Sequence, residues 1–177
     1  MTVYVALLAG INLGGRTLRM DALRATAEGC GFADVQTYIA SGNVLFTSGL
    51  GAAEVSSRLH DAVLDASGID ARVVVRTAKQ MDAAVEANPF LDRCSDPTKV
   101  SVSFLFPDAK PTLRAVDPDE YAPDEVAVVG KHAYLSTPNG MGRTKLVPAV
   151  VKRLGIPGTV RNWRSTVKLR DLAAAMA

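Results

Sequence analysis

The chain has 177 residues, 48% of them hydrophobic and 21% charged, with a net charge of +2. That is ordinary globular composition and excludes a disordered or low-complexity chain. The longest fully apolar stretch, Val3 to Ala9, is far shorter than a membrane span, and no Lys or Arg precedes it as in a signal peptide.

The elements follow in chain order. Val3–Ala9 predicts a buried strand, and Gly10–Arg16 a Gly-rich polar loop. Thr17 is placed to cap a helix whose apolar stripe is Met20, Leu23, Ala27 and Cys30, stopped by Gly31. Val35–Ile39 and Val44–Phe46 read as short strands about the tight turn Ser41-Gly42-Asn43. Gly51–Ser67 predicts a helix with Val55, Leu59, Val63 and Ala66 on one face, ended by Gly68. Arg72–Arg76 is a Val-rich strand, and Thr77-Ala-Lys-Gln80 has the capping-box pattern of a helix start.

Asn88–Pro97 predicts a loop and the domain boundary, dividing the chain into residues 1–90 and 91–177. Beyond it, Ser101–Phe106 reads as a strand, and a short helix is expected within Thr112–Tyr121. Glu125–Val129 and His132–Ser136 predict a hairpin across Gly130-Lys131. Thr144–Leu154 predicts a helix stopped by Gly155 and Pro157; Gly158–Arg161 is a strand, and Ser165 caps a last helix. Each half then spells β-α-β-β-α-β plus a helix. The expected fold is α+β, two tandem ferredoxin-like halves with antiparallel sheets.

The charge is unevenly placed. Lys131–Ala177 holds nine Lys or Arg and one acid, Asp171, a net +8, so the first 130 residues carry −6. A positive field of that size attracts anions. Its basic residues cluster in Gly142-Arg143-Thr144-Lys145 and Arg161-Asn162-Trp163-Arg164. Arg143 and Lys145 stand at a helix start, the unfavourable end of the helix dipole for a cation, unless an anion or a carboxylate compensates. The run Asp117–Glu125, with five acids and no base, is the internal candidate for that carboxylate. Trp163 between two arginines fits either a base-stacking platform or a half-buried anchor; a lone aromatic favours the anchor.

Gly10-Ile-Asn-Leu-Gly-Gly15-Arg16-Thr17 fits G-x-x-x-x-G-[KR]-T between a strand and a helix. A true P-loop needs a parallel sheet and a Lys, and neither is expected here. A tight turn, or a simple anion site using loop amides and Arg16, fits better. Ser41-Gly42-Asn43 is first of all a turn, with ligand contact by Asn43 the secondary reading. Cys30 and Cys94 form no C-x-x-C pair, and with only His60 and His132 no metal-site spacing arises. No hydrolase or zinc-protease motif is present.

Together, Ala6-Leu-Leu-Ala-Gly-Ile-Asn-Leu-Gly-Gly15, Thr37-Tyr-Ile-Ala-Ser-Gly-Asn-Val-Leu-Phe46, Asn88-Pro-Phe90, Asp96-Pro-Thr-Lys-Val-Ser-Val-Ser-Phe-Leu105 and Arg161-Asn-Trp163 resemble a bacterial domain-of-unknown-function family, DUF family 1697. The resemblance implies an α+β protein with two ferredoxin-like halves and carries no catalytic residue, because the family has no established activity. It also implies an Arg where this chain has Ala9.

The expected protein is cytoplasmic, with no cofactor, no metal and no membrane partner. It is expected to bind a phosphate-bearing ligand or nucleic acid through Asn12, Gly14, Gly15, Arg16, Asn43, Arg143, Lys145, Arg161, Asn162, Trp163 and Arg164. The alternatives are an enzyme on a small anionic substrate using the same cluster, and an interaction module whose basic segment is neutralised by Asp117–Glu125.

Overall fold

The computed structural model describes residues 1–12, 14–15, 17–93, 95–110, 117–152 and 157–177. Among them lie two four-stranded antiparallel sheets and five α-helices, a mixed α+β fold. The chain divides into two compact units, Met1–Ala83 with Leu169–Ala177, and Ala84–Lys168. The dividing point between Ala83 and Ala84 falls inside a helix, and the last nine residues group with the first unit. No described helix is long and apolar enough to cross a membrane.

In the first unit, β1 (Thr2–Leu8), β2 (Ala33–Tyr38), β3 (Asn43–Ser48) and β4 (Val73–Thr77) form a sheet in the order β2-β3-β1-β4. Tyr4, Ala6, Leu8, Val44, Phe46 and Val73 pack with Leu23 and Ala27 of α1 (Met20–Gly29) and with Val55, Leu59 and Val63 of α2 (Ala52–Ser67). Phe32 and Phe46 stack there at 4.2 Å. Val3, Val5, Leu7 and Leu45, on the other face, are buried as well. Burial on both faces explains why β1 is a continuous apolar run instead of an alternating one.

The helix ends follow local chemistry. Gly68 takes the left-handed conformation at φ 69° and returns its N–H to Leu64 O, ending α2. The Ser56 hydroxyl donates to Val73 O, and His60 Nδ1 meets Ala71 O at 3.0 Å, tying α2 to the approach of β4. A carbonyl only accepts, so Nδ1 carries the proton. Thr77 and Gln80 form the expected capping box of α3 (Ala78–Glu86): Thr77 N donates to Gln80 Oε1 at 3.0 Å and Gln80 N to Thr77 Oγ1 at 3.2 Å.

Two expected caps are corrected. Thr17 does not cap α1; Arg19 is the flanking residue, extended at ψ 144°, because Leu18 N is already bonded to Asn12 Oδ1. The exposed Arg19–Asp21 pair sits over that start, and its hydrogen bonds hold the Asp21 carboxyl below its ordinary value. The last helix, α5 (Trp163–Ala175), starts two residues before Ser165, and Asn162 caps it by accepting from Ser165 N at 2.8 Å.

In the second unit, β5 (Val100–Leu105), β6 (Glu125–Val129), β7 (His132–Ser136) and β8 (Gly158–Asn162) repeat the pattern in the order β6-β7-β5-β8. Leu105, Ala133 and Leu135 pack with Leu146 and Val150 of α4 (Leu146–Lys152). The hairpin turns at Gly130, φ 58°, as expected. The expected helix in Thr112–Tyr121 and the stop at Gly155 fall mainly outside the described residues; Pro118–Tyr121 is a single 3-10 turn. Helix α4 starts at Leu146 because Thr144 Oγ1 accepts its N–H at 3.0 Å.

Candidate functional site

The end of β1 and the β2–β3 turn lie at the same end of the first sheet, because β1 and β3 are antiparallel neighbours. Asn12, at φ 54°, clamps them: its Nδ2 donates to Ala40 O at 2.6 Å and its Oδ1 accepts from Leu18 N at 2.8 Å. Leu8 N donates to Gly42 O at 2.8 Å. Asn43, fully buried, donates from Nδ2 to Tyr38 O and to Ser41 Oγ, both at 2.9 Å. Gly42 has φ 76°, and a Cβ there would lie 2.5 Å from Ile11 Cδ1 and 3.0 Å from Leu8 Cβ. The chain can therefore pass here only as glycine.

This loop pair exposes two of the candidate residues. Gly14 and Gly15 are solvent-facing at φ 58° and 86°, and neither makes a hydrogen bond with the protein among the described residues. Arg16 lies outside the described residues. The loop pair also carries Ile39, which the sequence placed in a strand. It stands in the turn at φ 48° with 48% of its surface exposed.

The second unit gathers basic residues at the end of its sheet where β5 begins. Arg143 and Lys145 are exposed on the loop into α4, and Arg143 N donates to Gly140 O at 3.1 Å. Lys99 Nζ lies 3.8 Å from where a Cβ on Gly140 would stand. Thr98 donates to Asp96 from its hydroxyl and its N–H, which holds the Asp96 carboxyl below its ordinary value; the charges of Lys99 and Arg164 deepen the effect. Lys99, which reading from Lys131 onward missed, thus joins the expected Arg164 and Arg143. The signal available was its place in Pro97-Thr98-Lys99, one residue before the strand.

Arg161 and Trp163 turn inward, while Asn162 is exposed. Arg161 is buried, its Nη1 donating to Thr159 Oγ1 at 2.7 Å and to Val160 O at 2.9 Å, and burial lowers its pKa to about 10. Trp163 is buried, as the anchor reading expects, and is no exposed stacking platform. Asn162 serves as the α5 cap. Of the acids in Asp117–Glu125, Glu125 pairs with Arg93, outside the basic segment, and Asp117 accepts from Asp119 N at 2.9 Å. Counted by unit, the first has eight basic and nine acidic residues, net −1, and the second twelve and nine, net +3. The basic segment and the acidic run fall mostly in the same unit, so the +8 of the sequence becomes a modest local charge.

Arg161 has a counterpart. Arg76 occupies the fourth position of β4 as Arg161 does in β8; Arg76 pairs with Val5 of β1, and Arg161 with Val102 of β5. Arg76 is also buried, its Nη1 donating to Val75 O at 2.9 Å, and burial lowers it to about 10. The recurrence follows the repeat of strand order, and a residue-level scan of the sequence does not reveal it. Cys30 is half-buried at the end of α1 with its thiol raised by burial; Cys94 lies outside the described residues. Among the described residues, no group of three or more His, Cys, Asp or Glu could hold a metal.

Two four-stranded antiparallel sheets in one chain, with a clamped Gly-rich loop after the first strand, define an α+β protein of duplicated strand order. Residues 1–134 match the family described as a protein of unknown function (DUF1697), and the chain belongs to that family. No curated protein matches it. Among solved structures it is similar to a conserved bacterial protein, SP0830, from Streptococcus pneumoniae, with 20% identity and a TM-score of 0.77 over 98% of this chain and 99% of that one. At that identity the likeness speaks to the fold alone.

Proposed function

We propose that the protein binds a small phosphorylated ligand at the loop pair of the first unit. The observation that carries the reading is the pair Gly14–Gly15: adjacent exposed amides at positive φ, on a loop that Asn12 fastens to the β2–β3 turn. Successive amides in turn conformations form concavities suited to anions. Arg16 is placed by sequence to add the charge. Each unit is further read as a ferredoxin-like half, which the matching orders β2-β3-β1-β4 and β6-β7-β5-β8 support.

Nucleic acid is the second reading, favoured by the exposed Arg143, Lys145 and Arg164 near the β5 end of the second unit. The burial of Trp163 weighs against it, since stacking would then need another aromatic.

Calorimetric titration with inorganic phosphate and nucleoside monophosphates at low ionic strength separates the two. Binding that drops about tenfold or more in Asn12→Ala and is unchanged in Arg143→Ala/Lys145→Ala supports the loop pair. No heat with any phosphate at low salt would sink it. Tight, steeply salt-dependent binding of oligonucleotides that Arg143→Ala/Lys145→Ala abolishes would favour the second reading.

A further inference from the structure

We infer that Ile39 is a binding residue of the loop-pair site, and that the ligand carries an apolar group beside its phosphate. The inference rests on the phosphate reading above.

Ile39 has φ 48°, a region that β-branched residues rarely enter and that strains the backbone. Gly or Asn would take that conformation with little penalty. Hydrogen bonds of the turn include those at Tyr38 O, Ala40 O and Gly42 O and at the side chains of Asn12, Ser41 and Asn43. None of them needs an isoleucine at position 39. Its side chain is nearly half exposed and stands in a turn where polar residues are the common choice.

The surroundings hold the strained conformation in place from both sides. Asn43 fixes Tyr38 O, Asn12 fixes Ala40 O, and Gly42 is seated against Ile11 and Leu8. Strain kept up by several independent ties is the pattern found at ligand clamps. Asn12, two residues before Gly14 in the chain, hydrogen-bonds that turn at Ala40 O, which ties the turn bearing Ile39 to the loop that carries the two exposed glycines. A small phosphate monoester of an apolar or aromatic group matches the two chemistries.

The test compares phenyl phosphate with inorganic phosphate on the wild-type chain and on Ile39→Gly and Ile39→Asn. The wild type is expected to bind phenyl phosphate roughly tenfold more tightly than phosphate, as burial of a few apolar carbons provides. Both variants should lose that preference, keep their affinity for phosphate, and melt no lower than the wild type. Equal affinities for the two probes in the wild type, or a preference that survives in the variants, overturns the inference and leaves the phosphate site standing. A lower melting temperature in both variants also overturns it, because Ile39 then serves the fold. If neither probe binds, the phosphate reading itself has failed and this inference with it.

Discussion

The loop pair of the first unit and the basic end of the second differ in kind. The first shows little charge among its described residues but is built: Asn12 joins two loops, Asn43 is buried beneath the turn, and Gly42 and Ile39 hold conformations that other arrangements would avoid. The second has charge but little construction. Arg143 and Lys145 are exposed on a loop, and Arg164 stands near Asp96. Surface charge is well solvated and is screened within about 8–10 Å at physiological salt. A strained backbone, by contrast, persists only where surrounding contacts hold it. The contrast teaches that charge density along a sequence is a weaker pointer to a site than unusual backbone held by buried polar side chains.

The largest expected effect strikes the construction of the loop pair. Gly42→Ala places a Cβ against Ile11 and Leu8 at positive φ, and should destabilise the first unit by about 3 kcal/mol or more in urea unfolding. A loss below about 1 kcal/mol would mean the turn re-forms easily and is not a rigid support.

Tyr134→Phe comes next and tests the second unit's interior. It removes the hydroxyl that donates to Ala84 O at 2.7 Å from a fully buried ring, and should cost about 1–2 kcal/mol. Burial raises the Tyr134 phenol to about 12 from an ordinary 10. A raised phenol stabilises the fold below the unfolded pKa, and the contribution is lost as pH rises from about 10 through 12. Arg76 and Arg161 work in the opposite sense, because lowered guanidinium pKa values make the unfolded chain bind more protons above pH of about 10. Alkaline melting of the wild type should therefore fall more steeply than that of Tyr134→Phe; identical profiles would refute the assignment.

Smaller still are the two caps that follow the buried arginines. Thr77→Ala and Asn162→Ala each remove a side chain that accepts a first-turn amide, and each should destabilise by about 1 kcal/mol. Similar losses would sharpen the correspondence between β4–α3 and β8–α5, whereas a neutral Asn162→Ala would break it. The smallest effect belongs to the exposed charges. Arg143→Ala and Lys145→Ala should shift stability by less than about 0.5 kcal/mol. A larger shift in thermal melting would reveal a structural partner for them.

Much of the fold is legible in the residues. The capping box at Thr77 and Gln80, the left-handed Gly68 and the hairpin across Gly130-Lys131 lie where local chemistry places them. The misplaced caps have a common cause. Thr17 and Ser165 are good caps by type, but the backbone entering each helix was already held elsewhere, by Asn12 at the first and by Asn162 at the other. Ile39 misled for a related reason. Its β-branched side chain suits a strand, and only the clamp around it shows that the chain turns there.

The sequence by itself determined the α+β class, because periodicity, glycines and turn residues act over a few positions, and its loop motifs carried the resemblance to the family. Tertiary structure alone decided which candidates face solvent. Burial turned Arg161, Trp163 and Asn43 inward, sharing the basic segment's unit with an acidic run reduced its charge, and folding drew Asn12 to Ala40 across 28 residues. Exposure and long-range contact depend on what packs against a residue, and local spacing does not encode that.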